Sequence, residues 1–178
     1  MKKEQLPLQK PTNEQEIQSL QRRAYDLAKK GDYESALALC DWLIQEANTR
    51  VAGLRQRAGV LEHQGEIERA IEDLEAVVSA GVDEPADMHT LGMLYLQEQR
   101  DREAELVFAK GIQICVRENA PYYLNSCKLL RAEALLRTGR RDIALTELEA
   151  LPDGYSAYVY GRGLRTKAAL VDEARQKK

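Results

Sequence analysis

The sequence predicts an all-α chain of stacked helix hairpins, and three observations carry that prediction. Small residues recur at a step of 34: Ala36, Ala70 and Ala104, then Ala24, Ala58 and Gly92, with Gly31 and Gly65 on the same step. A fourth copy stands at Ala132, Gly139 and Ala144, displaced by six further residues. Self-similarity at this period marks a helix–turn–helix array. Second, Ala, Leu, Glu, Gln and Arg dominate, and all are good helix formers. Third, most of the 11 Gly and 5 Pro fall between candidate helices. Such an array offers a surface for holding a partner rather than a pocket for chemistry.

The elements follow in order. Residues 1–12, with Lys2, Lys3, Pro7, Lys10 and Pro11, read as a disordered lead. Thr12 stands three residues before Gln15, the spacing of a capping box that opens a helix. Ile17, Leu20, Ala24, Leu27 and Ala28 then recur at helical spacing, and Lys29-Lys30-Gly31-Asp32 stops that helix. A second helix runs from about Tyr33, with Ala36, Leu39, Cys40, Leu43 and Ile44 on one face. The pair repeats as Leu54, Ala58 and Leu61 up to Gly65, then Ile67, Ala70, Ile71, Leu74 and Val77. It repeats again as Met88, Leu91, Gly92 and Tyr95, a turn at 99–101, then Ala104, Val107, Phe108 and Ile112.

The segment 118–124 breaks the period by lengthening a helix or inserting a loop. Leu129, Ala132, Leu135 and Leu136, then Ile143, Ala144 and Leu148, form the fourth pair. Pro152-Asp153-Gly154 ends it. A closing helix over about 156–176 would turn Tyr160, Leu164, Ala168 and Val171 to the array and keep a polar outer face, as the end of a repeat stack requires. The division is therefore a lead (1–12), an array (13–154, with units near 17–50, 51–84, 85–118 and 125–154) and a closing helix with a basic tail (155–178).

Composition narrows the function classes. The 178 residues suit one domain or one short array. With 44% hydrophobic and 31% charged residues, the mixture is that of a folded soluble chain. The net charge of −3 is unevenly spread. Residues 62–105 hold 13 acidic and 3 basic side chains, a net of −10, and residues 106–178 hold 13 basic and 8 acidic, a net of +5. The spread reads either as solvated helix faces or as a bipolar surface that steers a charged partner. Cys40, Cys115 and Cys127 form no C-x-x-C pair, which fits reduced thiols in a cytosol, and Cys40 and Cys127 fall at helix positions that are usually packed. No apolar run follows Met1-Lys2-Lys3, so the expectation is no signal peptide, no membrane span and a cytoplasmic location.

These residues resemble the tetratricopeptide repeat (TPR) family. The third unit reads Met88-x2-Leu91-Gly92-x2-Tyr95, then Ala104-x3-Phe108, matching the family pattern except for its opening Trp and closing Pro. The other units are sparser: Leu20, Arg23, Ala24, Leu27, Ala36 and Cys40; Leu54, Arg57, Ala58, Leu61, Ala70 and Leu74; Lys128, Arg131, Ala132, Leu135, Ala144 and Leu148. Gln99 stands where the third unit's turn would carry Gly. The resemblance implies a right-handed α-solenoid of about four hairpins with a C-terminal capping helix, in which the first helix of each unit lines a concave groove.

On that basis the partner-binding residues are Tyr25, Arg55, Gly59, Glu62, His63, His89, Met93, Leu96, Gln97, Glu133 and Arg137. Gln18, Gln21, Ala28 and Lys29 stand beside them at the amino end. Leu129 and Leu136 either face the groove or pack on the closing helix. Trp42 is either core or an exposed anchor. Cochaperones of this family grip a carboxy-terminal carboxylate with a Lys and Asn pair, whereas the matching positions here carry Gln21 and Tyr25, so that clamp is missing.

Other chemistry finds little support. His63, His89 and Glu62 fall short of the ligand number and geometry of a metal site, and polar groove residues account for them better. No nucleophile stands near a base motif, no carboxylate pair stands out, and no cofactor motif is present. Gly161-Arg162-Gly163 lacks both a following G-K-[ST] and a preceding strand, so it is not a phosphate loop. Arg137, Arg140, Arg141, Arg162, Arg165 and Lys167, with Tyr155, Tyr158 and Tyr160, could form a basic aromatic patch, but a pI of about 5.6 argues against nucleic acid. The expectation is a non-catalytic adaptor or chaperone holding a client segment. The alternatives are an immunity protein that caps a toxin by charge complementarity and a self-associating structural oligomer such as a homodimer.

Overall fold

The computed structural model describes residues 10–82, 84–159 and 162–176. Most of the expected lead, and Tyr160, lie outside the described residues. The chain divides into two compact units, one ending at Val82 and one beyond it.

The first unit holds α1 (Glu14–Lys29), α2 (Tyr33–Ile44), α3 (Arg50–Gln64) and α4 (Ile67–Ser79). Asn13, not Thr12, caps α1: its side chain accepts from the Glu16 amide at 2.9 Å, and the Glu16 carboxylate accepts from the Thr12 amide at 2.6 Å. The capping box sits one residue later than its expected position, because Asn is as good a cap as Thr and places Glu at the third helical position. Gly31 turns the chain at φ +79°, and Asp32 caps α2 by accepting from the Ser35 amide.

Each helix packs on the next, and α1 also lies beside α3. Ala24, Ala36, Leu39 and Cys40 are wholly buried between them, joined by Val60. Trp42 belongs to this interior rather than to an exposed anchor, at 9% exposure. Lys10 covers it: Nζ lies 4.5 Å from the ring centroid and donates to the Trp42 carbonyl at 2.7 Å. Pro11 is buried as well. Lys10 and Pro11 thus dock, where the sequence reading left them unpacked, because a lysine stem and its ammonium can cover an aromatic face.

The second unit holds α5 (Pro85–Gln97), α6 (Asp101–Arg117), α7 (Leu124–Arg137), α8 (Arg141–Glu149), β1 (Ser156–Val159), β2 (Gly163–Thr166) and α9 (Lys167–Arg175). The broken period has two sources. Helix α6 runs to 17 residues against 12 and 13 for α2 and α4, and a turn through Asn119 at φ +51° follows it. Gln99 takes the left-handed turn conformation at φ +59° without being glycine.

The closing segment differs from expectation. It begins as an antiparallel hairpin, with Ser156 opposite Thr166 and Tyr158 opposite Leu164, and becomes helical only at Lys167. The alternation of Ser156 exposed, Ala157 half-buried, Tyr158 exposed and Val159 buried is the two-residue period of a strand, and it overrode the helical spacing. Leu164, expected to face the array, is 62% exposed and Ala168 is exposed; Leu170 is buried instead. Leu129, Leu135, Leu136, Leu148, Leu151 and Leu170 make one apolar cluster. Ile143, expected as an apolar position of the fourth pair, is 49% exposed. Among the described residues no helix is long and apolar enough to cross a membrane.

Candidate partner-binding faces

In each unit the first helices of successive hairpins stand side by side, α1 with α3 and α5 with α7. In the first unit, Gln21 Nε2 donates to the Ala52 carbonyl at 3.1 Å. One turn on, Tyr25 meets His63 edge-on at 5.9 Å, and Lys29 Nζ lies 5.5 Å from the Tyr25 ring. Tyr25 is 43% exposed, large for an aromatic side chain in a packed pair. A β-carbon built on Gly59 would meet nothing within 4 Å, so the surface is open there. Arg55 is half-buried, and burial raises the Glu62 carboxyl above its ordinary range. This face offers an aromatic pair, a cation and a carboxylate around a small open step.

The α5–α7 face is more closed. His89 Nε2 and Ser126 Oγ share a hydrogen bond of 2.6 Å, and the imidazole lies 5.2 Å from Tyr123 and 6.4 Å from Phe108. Burial lowers the His89 pKa to about 4, so the ring is neutral at physiological pH. Met93 is half-buried and Gln97 exposed. Leu96, expected on the groove surface, is in the interior at 1% exposure. Of the two accounts of Leu129 and Leu136, packing on the closing segment is the one observed.

Glu133, also expected to face a partner, is 2% exposed and gathers three arginines. Arg137 lies 3.3 Å away, Arg165 Nε donates at 3.0 Å, and Arg162 Nη2 donates to the same carboxylate. Arg137 Nη1 also reaches Asp101 at 3.2 Å and the Leu96 carbonyl at 3.3 Å. A buried carboxylate persists only when compensated in this way. The basic residues therefore form no continuous stripe. Arg140 pairs with Glu105, Arg141 donates to the Gln176 carbonyl, and Lys167 holds the Leu151 carbonyl and Asp153. Beside Arg137 and Arg162 a cavity of about 540 Å³ opens, lined also by Leu96, Gln97, Gln99 and Asp101.

Sequence reasoning missed the role of Ser126 and the convergence on Glu133. The i,i+4 spacing of Glu133 and Arg137 was a readable sign of that pair. Arg162 and Arg165 could not be placed while the hairpin read as a helix, and a strand does precede Arg162, contrary to expectation. All three cysteines are buried, and burial pushes the Cys40 and Cys127 thiols up to about 12, far from a reactive thiolate.

No family profile matches the sequence, and no curated protein does. Solved structures do match. A Podosopora anserina protein of nearly identical TPR-like repeats is 19% identical, with a TM-score of 0.63 over 78% of this chain and 74% of that one. YrrB, a TPR protein with an unusual peptide-binding site, is 18% identical, with a TM-score of 0.61 over 74% of this chain and 64% of its own. The Yersinia enterocolitica type III secretion translocator chaperone SycD is 14% identical, with a TM-score of 0.58 over 74% of this chain and 90% of its own. The chain thus has the fold of the tetratricopeptide repeat family, an all-α solenoid of helix hairpins, here with a two-stranded hairpin inserted before the last helix.

Proposed function

We propose that this chain is a non-catalytic protein-binding module, an adaptor or chaperone that holds a segment of a client polypeptide against the first helices of its hairpins. The observation that carries this reading is the α1–α3 face, where Tyr25 stands 43% exposed against His63 beside the open step at Gly59. Rigid, partly exposed aromatics flanked by charge are how protein surfaces gain affinity at low entropic cost. YrrB with its peptide-binding site and the chaperone SycD share the fold, which supports the same use here.

The toxin-capping alternative needs the acidic stretch 62–105 to act outward. Part of that charge is turned inward instead: Asp73 pairs with Arg57, Asp101 with Arg137, and Glu105 with Arg140 and Arg131. The exposed Tyr25 against His63, which charge-driven capping does not require, favours the client-binding reading. Affinity purification from source cells, quantified by mass spectrometry, tests it. One polypeptide should be enriched by the intact chain and lost with the Tyr25→Ala, His63→Ala double variant. Recovery that falls steeply with salt and ignores the double variant would favour charge-driven capping. Recovery of the chain alone as a dimer would favour self-association.

A further inference from the structure

The cavity beside Arg137 and Arg162 has the make-up of a carboxylate receptor, and we infer that it takes an acidic side chain or chain-terminal carboxylate of the bound polypeptide. The inference rests on the protein-binding reading and names one subsite for it. It is separate from the clamp positions at the amino end, which carry Gln21 and Tyr25.

Three observations carry it. First, two guanidinium groups from different elements, α7 and the β1–β2 turn, line one opening of about 540 Å³. Both are held in place, Arg137 by Glu133, Asp101 and the Leu96 carbonyl, and Arg162 by Glu133. Pre-placed planar donors suit the paired oxygens of a carboxylate.

Second, the local charge does not close. Arg137, Arg162 and Arg165 face Glu133 and Asp101, three positive groups to two negative, which leaves one positive charge. A monoanion balances that surplus. A phosphate dianion would overshoot it and stand beside the Asp101 carboxylate, so the composition favours a carboxylate.

Third, Arg162 Nη1 is buried and finds no hydrogen-bond acceptor. A buried charged donor without an acceptor is costly, so a ligand oxygen brought within its reach would be favoured. Gln97, exposed at the rim, supplies an amide for the adjoining peptide backbone.

The test is an NMR titration of the full chain at pH 7 that follows the arginine Nε–H signals. The probes are N-acetylalanine for a terminal carboxylate and N-acetylglutamic acid α-amide for a side chain, with sodium chloride and inorganic phosphate as controls at matched ionic strength. At least one carboxylate should shift the Arg137 and Arg162 signals saturably, with a Kd on the order of 1 mM for so small a probe. Chloride should not, and phosphate should bind more weakly. Arg162→Gln, folded by circular dichroism, should weaken the carboxylate about tenfold. Asp101→Asn removes the competing charge and should tighten it several-fold, which a purely structural ion network would not do.

Shifts no larger than those from chloride, or tighter binding of phosphate, overturn the inference. So does an unchanged response in Asp101→Asn. A polypeptide captured equally by the intact chain and by Arg162→Gln also overturns it, while leaving the protein-binding reading in place.

Discussion

The ring of Phe108 in α6 occupies the space that a β-carbon on Gly92 of α5 would need: a carbon built there lies 2.5 Å from Cε1 and 2.6 Å from Cζ. Phe108 is wholly buried, and its other neighbours include His89 at 6.4 Å between ring centroids. The hairpin closes only because residue 92 has no side chain. Gly92→Ala should therefore destabilise the second unit by about 1–3 kcal/mol by overpacking, despite the better helix propensity of Ala. In a Phe108→Leu background the same change should be close to neutral, because the ring is gone. Urea unfolding of the four chains measures that coupling; equal effects in both backgrounds would refute it.

The next turn offers a change of opposite sign. Gln99 holds φ +59° with its side chain exposed, a conformation costly for any residue with a β-carbon. The hairpin turns at 31, 65 and 139 carry glycine at φ between +79° and +85°. Gln99→Gly should raise stability by about 0.5–1 kcal/mol after the entropic cost of glycine in the unfolded chain. A higher urea midpoint at unchanged slope is the expected readout.

Arg57 forks across three helices of the first unit. It donates to Asp73 of α4 at 2.6 and 2.7 Å and to Asp41 of α2 at 2.6 Å. Asp73 is 7% exposed in its side chain and Asp41 56%, so the two arms differ in worth. Arg57→Leu leaves a buried carboxylate unpaired and should cost about 2–3 kcal/mol. Asp41→Asn removes only the solvated arm and should cost less than about 1 kcal/mol. Thermal or urea unfolding of the two variants checks the order.

Burial of His89 should make the second unit acid-sensitive. Its pKa in the folded chain is lowered to about 4 by burial, against an ordinary value near 6.5. The folded state resists protonation, so the unfolded chain binds more protons between those values. The contribution of the neutral ring is whole above pH 6.5 and lost as the pH falls toward 4, by up to about 3 kcal/mol. His89→Gln keeps a partner for Ser126 and cannot take up a proton. Its stability between pH 6.5 and 4 should fall less steeply than that of the unaltered chain, measured by urea unfolding at each pH.

How much of this could be read beforehand follows from the kind of signal involved. Ala36, Ala70, Ala104 and Ala144 are each wholly buried, as their spacing required, because a close helix contact leaves room for one methyl and no more. The eight array helices were legible for that reason. Gly53 and Gly111 escaped notice because they lie off the repeat; a β-carbon on Gly53 would come within 2.8 Å of Ile44, and one on Gly111 within 3.0 Å of Met88. The β1–β2 hairpin was misread because Leu164 and Ala168 fit a helical period by chance, while the alternation at 156–159 was too short to compete. The faces were legible only in outline. Tyr25, Gly59 and Gln97 could be assigned by repeat position, but Glu133 and Leu96 follow long-range packing that no local pattern encodes. Arginines 29 and 32 residues away decide what Glu133 does.

On the proposed reading, the first helices of the hairpins, rather than the second, hold another polypeptide. Hydrogen exchange of the chain with and without the partner recovered by affinity purification tests it most directly. Added protection should concentrate in α1, α3, α5 and α7, strongest around Tyr25 and His63. Protection confined to α2, α4 and α6, or none at all, would contradict it.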